Sequence, residues 1–136
     1  MAEEYVVHEQ EDTLGEGESE PRILARNVEI ADSTLSQMRG LMFRSELPEA
    51  LVMEVGGGFS LTGGPPRQFV HMLFVRHPLD VIWLADDDVQ KVARMRPWRS
   101  VGMAKADRII ELPAGAAEGV EVGDTVRVVD ETDVNE

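Results

Sequence analysis

The sequence contains no cysteine. This absence excludes a disulfide framework, a thiol nucleophile and any zinc site that needs thiolate ligands. The sequence also has no long apolar run, and its first eight residues contain two glutamates and no basic segment leading into an apolar stretch. We therefore predict neither a signal peptide nor a membrane anchor, and we expect a cytoplasmic protein without a membrane partner.

Lysine is scarce, and acidic residues outnumber basic ones. Only Lys91 and Lys105 are lysines among 13 basic residues, whereas 26 residues are acidic, for a formal net charge of -13. Such a charge repels phosphate backbones and anionic lipids, so nucleic acid is an unlikely partner. A surface poor in lysine and rich in acid favours a halophilic protein of a high-salt cytoplasm, where screening removes self-repulsion. The alternative is an ordinary acidic protein.

The length predicts one domain over residues 1–136. A chain of 136 residues with 43% apolar residues can build one core and has no room for two. Residues 9–21 are mostly Glu, Gly, Ser and Asp, a composition that predicts a flexible acidic loop. We expect the tail over residues 131–136 to be flexible as well.

Two segments predict helices. Asp32 or Ser33 is a good N-cap, and the following apolar residues recur at spacings of three and four, which indicates one principal α-helix over about residues 33–43. Pro113 fits the first turn of a short helix near residues 113–118, because its missing amide would have no partner there.

The remaining pattern is that of short strands. Alternating or apolar segments predict strands over residues 22–31, 51–55, 79–85, 89–94, 108–112 and 125–130, with a hairpin turn at 86–88. Residues 68–75 are apolar on both faces and predict a central strand, whereas residues 101–107 predict a loop. Residues 5–8 form either an edge strand or a frayed terminus. Seven to eight short strands favour a mainly β fold, a compact sandwich or barrel.

Three motifs occur in order along the chain. They are Arg39-Gly40-Leu41-Met42, then Pro78-Leu79-Asp80, then Glu111-Leu112-Pro113-Ala114-Gly115 followed by Val122-Gly123-Asp124. Over about residues 22–130 the chain resembles the domain-of-unknown-function 192 family. The resemblance implies a mainly β, sandwich-like fold with no established activity, substrate or cofactor. Where many relatives carry a polar run, this chain has His71-Met72-Leu73-Phe74-Val75, so it looks closer to a haloarchaeal-like branch.

Asp80 is the leading candidate for a site. It lies in an apolar context that predicts burial, and a buried carboxylate must be paired, accept hydrogen bonds or stay protonated. It either caps the bend after Pro78 or acts as an acid or base at a cleft. Arg39 either balances the carbonyls at the end of the helix or holds a ligand oxygen. With His71, these residues form a candidate ligand-binding cleft.

The histidines do not predict a metal site. His71, His77 and Asp80 could bind a transition metal, but His77 next to Pro78 is expected at a bend and His71 is expected near the core. The glycine-rich loop around residues 56–64 lacks the ending of a phosphate-binding loop. We therefore expect no metal and no cofactor.

A second candidate site is the only local concentration of positive charge with an aromatic residue, formed by Arg94, Arg96, Trp98 and Arg99. These arginines either pair with surrounding acids or form a surface for a partner. The leading hypothesis is a non-catalytic ligand-binding or interaction module with a small molecule or a protein as partner. One alternative is a hydrolase or lyase of a small or glycan-like substrate that uses Asp80 and His71. Another is a protein that binds a partner through the Arg94–Arg99 surface.

Overall fold

The computed structural model describes residues 4–10, 21–31, 40–55 and 64–130. These residues contain ten strands, more than the seven to eight predicted. The strands are β1 (Glu4–Glu9), β2 (Arg22–Ala25), β3 (Val28–Ala31), β4 (Ala50–Glu54), β5 (Arg67–His71), β6 (Leu79–Ala85), β7 (Asp88–Met95), β8 (Val101–Lys105), β9 (Arg108–Pro113) and β10 (Thr125–Asp130). The mainly β prediction is confirmed.

Eight strands form one large sheet in the order β2-β1-β10-β7-β6-β9-β4-β3, and β5 and β8 form a second, two-stranded sheet. The neighbours pair antiparallel except β3 and β4, which run parallel. The sheet order ends at β2 and β3, which only Arg26 and Asn27 separate along the chain. The large sheet therefore curls until its two edges approach each other, but no ladder among the described residues closes it. The prediction of a compact sandwich or barrel therefore holds only as a mainly β architecture, because the large sheet is not closed in the described residues.

Strand β6, which the sequence predicts as a strand over residues 79–85, lies at the centre of the large sheet, between β7 and β9. Its side chains alternate between two apolar clusters. Val81 and Trp83 pack with Met72 and Val70 on one face, and Ile82 and Leu84 pack on the other face with a cluster that includes Leu112. A strand buried on both faces explains the uninterrupted apolar run in this part of the sequence.

The small sheet corrects two predictions. Residues 68–75 do not form a central strand, because β5 ends at His71 and pairs only with β8. Residues 101–107 are not a loop, because β8 occupies most of them. Only one face of the small sheet packs on the large one, through Val70 and Gly102, so its other apolar side chains are exposed.

Neither predicted helix is found in the described residues. Most of the segment 33–43 lies outside them, and residues 40–43 form a turn in which Gly40 has a φ of 51°. Residues 114–119 form successive turns after β9, with bonds three residues apart such as Ala116 N to Pro113 O. Gly115 and Gly119 have φ values of 99° and 91°, which break any helix here.

Other local predictions have mixed outcomes. The β6–β7 hairpin is confirmed, and Asp86 and Asp87 at its turn have φ values of 49° and 69°, as a tight hairpin turn requires. The segment 22–31 is two strands instead of one, and residues 5–8 lie within a strand that pairs on both sides. The predicted loop over residues 9–21 and the tail 131–136 lie almost entirely outside the described residues. No helix within the described ranges is long and apolar enough to cross a membrane.

Candidate binding surface

Asp80, at the second residue of β6, is buried, as the sequence predicts. Its Oδ2 accepts hydrogen bonds from the backbone amides of Gly115 and Ala117, at 2.9 and 3.0 Å. Its Oδ1 accepts a bond from Nε of Arg94 at 3.0 Å. The carboxylate thereby fixes the turns after β9, and it joins two of the three sequence motifs.

The structure does not bring Asp80 and His71 together. Side chains alternate along a strand, so Asp80 faces the same side of β6 as Ile82 and Leu84. His71 belongs to β5, which packs on the opposite side of β6, against Trp83. His71 is half-buried, and its Nδ1 accepts a bond from the amide of Leu73 at 3.2 Å.

The other predicted site residues are dispersed. Arg39, the third member of the predicted cleft, lies outside the described residues. His77 bonds the carbonyl of Ser45 through its Nε2 at 3.0 Å. No group of three or more side chains suited to a metal ion occurs among the residues that the structure describes.

Asp124, the last residue of the third motif, is also buried. Oδ2 of Asp124 accepts a bond from the amide of Glu121 at 2.9 Å, and Nε2 of His8 lies 2.8 Å from the same oxygen. This contact ties β1 to the turn before β10. The sequence analysis did not single out His8.

Glu111 is a further buried carboxylate that the sequence analysis did not propose as a site. It lies on β9 between Leu51 and Val81 of the neighbouring strands, on the face opposite Asp80. Burial raises the pKa of its carboxyl to about 7, and the charge of Arg44 partly opposes this rise. Glu111 lies close to Gly40, because a Cβ at that glycine would be 3.6 Å from its Oε2. Its position among Ile109, Ile110 and Leu112 is the same sequence signal that identified Asp80.

Three aromatic side chains meet on the surface, and we call Phe43, Phe74 and Trp98 the aromatic cluster. The rings of Phe43 and Phe74 stack with centroids 4.9 Å apart, and Trp98 packs edge-on against Phe74 at 5.2 Å. Trp98 and Phe43 remain more than half exposed, at 51% and 54%. Backbone bonds hold the three turns together, from Phe43 N to Phe74 O and from Trp98 N to Met72 O.

All three residues of the aromatic cluster have left-handed backbone conformations. Their φ values are 65°, 62° and 68° for Phe43, Phe74 and Trp98. This region is strained for bulky residues and suits glycine. Strain of this kind persists only where the surrounding structure imposes it, and it concentrates at functional sites.

The outer face of the small sheet continues this apolar surface. Phe69 pairs with Met103, and His71 pairs with Val101, so these four side chains project on one side. Phe69, Val101 and Met103 are exposed, as is Leu73 in the turn after β5. We use the term apolar face for the aromatic cluster together with these four exposed residues. The apolar face thus comprises Phe43, Phe69, Leu73, Phe74, Trp98, Val101 and Met103.

Basic residues lie at both ends of the small sheet. Residues 64–79 and 89–106 contain no acidic residue. Exposed basic side chains lie at both ends of the small sheet, Arg67 and Lys105 at one end and Arg96 and Arg99 at the other. Arg94 is the member of the predicted arginine surface with an ion pair, and its bond to Asp80 raises the pKa of its guanidinium.

Of the predicted Arg94–Arg99 surface, Arg96, Trp98 and Arg99 thus lie beside the apolar face, whereas Arg94 bonds Asp80 on the opposite face of the large sheet. The sequence indicated Trp98 and the arginines because they are close together along the chain. It did not indicate Phe43, Phe69 or Met103, because strand pairing and turns bring them there from distant segments.

The protein is therefore a mainly β protein, in which a two-stranded sheet covers one side of a curled, open β-sheet. The chain belongs to the DUF192 family, described as "Uncharacterized ACR", whose family model matches residues 16–128. It is 32% identical over 109 residues to a UPF0127 protein of Thermococcus sibiricus, covering 77% of this chain and 68% of that one. It is 31% identical over 115 residues to a UPF0127 protein of Thermococcus gammatolerans, covering 80% and 71%.

A solved structure shows the same fold. A protein of unknown function from Novosphingobium aromaticivorans superposes with a TM-score of 0.70 at 24% identity, covering 90% of this chain and 83% of that one. The family model and the two Thermococcus relatives confirm the predicted family. Its finer placement near a haloarchaeal-like branch finds no support in these relatives, since both come from Thermococcus.

Proposed function

We propose that this protein is a non-catalytic interaction module that binds a partner protein through its apolar face. The observation that carries the proposal is the aromatic cluster: three exposed aromatic residues kept in a strained backbone conformation. A binding role accounts for bulky residues where glycine would be more stable.

The composition of the face supports a protein as the partner. Centres of protein interfaces are rich in aromatic residues, Met and Arg and poor in Asp and Glu. The apolar face has four aromatic residues and Met103, with exposed arginines around it and no acidic residue in residues 64–79 or 89–106. Trp and Arg are also the residues that contribute most to binding energy in such interfaces.

The contacts of Asp80 favour a structural role for this carboxylate over catalysis. Two amides and a guanidinium occupy its oxygens, and His71 faces away from it.

The second part of the proposal concerns the cellular setting. The net charge of -13 supports a protein that functions in a high-salt cytoplasm.

The test is site-specific photo-crosslinking in cells of the source organism. A benzoylphenylalanine replaces Leu73, which lies on the apolar face and is 51% exposed. The matched control carries the same group at Val122, an exposed apolar residue in the turn before β10. We expect a discrete cross-linked protein from position 73 and none from position 122. Equal cross-linking from both positions, or none from either, would contradict the proposal.

A further inference from the structure

We propose that the partner supplies an extended, acidic segment that adds as a third strand to an open edge of the small sheet. This inference rests on the proposed function and specifies how the apolar face is used. Strand addition combines backbone hydrogen bonds for affinity with side-chain contacts for specificity.

The hydrogen-bond pattern of β5 and β8 carries the proposal. The amide of Met72 donates to Ser100 O, and the amide of Ala106 donates to Pro66 O. In an antiparallel pair, residues that bond each other alternate with residues whose backbone groups point outward. In the register of this sheet, the β5 residues whose backbone groups bond β8 include Gln68 and Val70. The amides and carbonyls of Arg67, Phe69 and His71 therefore point away from β8.

The same argument applies to β8. Its outward backbone groups belong to Val101, Met103 and Lys105, which pair with the three outward residues of β5. In the part of the chain that the structure describes, no strand pairs with either outer edge. A sheet of two strands thus presents two rows of unpaired donors and acceptors, the arrangement that native proteins usually cover or guard.

The surroundings define the chemistry of the added strand. Arg67 and Lys105 lie at one end of the small sheet, Arg96 and Arg99 lie at the other, and the apolar pair Phe69 and Met103 lies between them. A complementary segment has β-forming apolar residues in its middle and acidic residues at both ends. Five residues of β5 span about 17 Å, so a segment of roughly nine residues reaches both basic ends.

The charges disfavour a second copy of this chain in a two-fold arrangement. A symmetric contact through the apolar face would place each basic border against its counterpart, because such a contact uses the same patch on both subunits. Like charges brought together in an interface oppose association. An acidic segment from a different protein avoids this repulsion.

The experiment measures the binding of labelled peptides to the full chain by fluorescence anisotropy. The probe is Glu-Glu-Val-Thr-Val-Thr-Val-Glu-Glu, and the control replaces its four glutamates with lysines. Two further versions of the probe carry backbone N-methyl groups, either on the first two valines or on the two threonines. Successive amides of an extended strand point to opposite sides, so only one of these versions blocks the edge that meets the protein.

We expect the acidic probe to bind at least about tenfold more tightly than the lysine control. One methylated version should keep that affinity, and the other should lose at least about tenfold. Phe69→Ser should weaken binding, whereas Val122→Ser, a change in another exposed apolar residue, should leave it unchanged. Equal effects of the two methylation patterns would overturn strand addition, as would failure of the acidic probe to bind.

Two rival classes of partner are tested with the same protein. A twelve-nucleotide oligo-dT and vesicles of phosphatidylglycerol share the negative charge of the probe but cannot form a strand. Tighter binding of either one than of the acidic peptide would overturn the proposal. Cross-linking at position 73 without any dependence on methylation would refute strand addition and leave the proposed function standing. Absence of cross-linking there would contradict the proposed function itself.

Discussion

Bulky side chains in left-handed backbone conformations are the most unusual residues of this chain. Phe74 is the central member of the aromatic cluster, since it contacts both Phe43 and Trp98. Its φ of 62° disfavours every residue with a Cβ. The stability of variants at this position therefore measures the strain directly.

We expect Phe74→Gly to be more stable than Phe74→Ala by about 1 kcal/mol, because both variants lose the ring and only glycine relieves the strain. Urea unfolding of the two variants measures this difference. Phe69 is the matched control, since it lies in a regular strand where alanine should be more stable than glycine. The same order of stability at both positions would show that Phe74 is not strained.

Glu111 gives a second prediction for a single residue. Its folded pKa of about 7 lies above the ordinary value of 4.5, so the folded state holds the proton more tightly than the unfolded state. The stabilisation from this proton is fully present below about pH 4.5 and is lost as the pH rises through about 7. The difference in pKa corresponds to about 3 kcal/mol.

Glu111→Gln keeps the shape of the side chain and removes the titration. We therefore expect the variant to gain about 3 kcal/mol relative to the unchanged protein between about pH 4 and about pH 8. Urea unfolding at the two pH values, at constant salt, measures the gain. A difference between the two proteins that stays constant with pH would mean that Glu111 does not hold its proton in the folded state.

For single residues, the sequence predicts which acidic side chains are buried but not which groups they bond. An acidic residue inside an apolar run identified Asp80, and the same signal was present at Glu111. Nothing in the sequence indicates that Asp80 bonds the amides of Gly115 and Ala117, because that contact depends on turns formed far along the chain. Left-handed φ values at Phe and Trp have no sequence signal at all.

Among the elements, the two sheets approach closely at Gly102. A Cβ at Gly102 of β8 would lie 2.8 Å from Cη2 of Trp83, closer than side-chain carbons approach. Trp83 is fully buried on β6, and its Nε1 donates to Gln68 O of β5 at 3.0 Å. A methyl group at position 102 would therefore meet a buried and hydrogen-bonded indole.

Gly102→Ala should therefore destabilise the protein by about 1–3 kcal/mol, because the small sheet must shift away from the large one. Met103→Ala is the control on the same strand, since Met103 points to solvent and its loss should change stability little. Thermal unfolding of both variants compares them. A harmless Gly102→Ala would mean that the small sheet is loosely attached.

Elements with local signals are predictable, and those made by distant contacts are not. Three aspartates in a row predicted the β6–β7 hairpin, and alternation predicted β10 with its bounds. Strand β8 was missed because Gly102 and Ala104 resemble loop residues, although the glycine is there to fit Trp83. The short helix near 113–118 was predicted from Pro113, but Pro113 ends β9, where it pairs with Leu79.

The whole molecule separates its charges. Its net charge is -13, yet the two segments that build the small sheet and its turns contain no acidic residue. The remaining surface is correspondingly acidic, and repulsion among its carboxylates opposes the compact state in dilute buffer. Salt screens such repulsion over a few ångströms.

We therefore expect the unfolding temperature to rise by about 4 °C or more between about 0.1 M and about 1 M potassium chloride. A variant with Glu46, Glu118 and Glu121 changed to glutamine should show a smaller rise, because these exposed residues contribute to the repulsion. Thermal unfolding followed by circular dichroism measures both proteins. Equal stability in dilute and concentrated salt would rule out a halophilic protein.

Hydrogen exchange of individual backbone amides in the small sheet tests the open edges on which the binding account depends. In the free protein, we expect the amides of Phe69, Val101 and Met103 to exchange much faster than those of Val70 and Gly102, which the β5–β8 ladder protects. Addition of the acidic nine-residue peptide should slow the outward amides of one strand only. Slow exchange at all five amides before any peptide is added would contradict the account, because the edges would then already be covered.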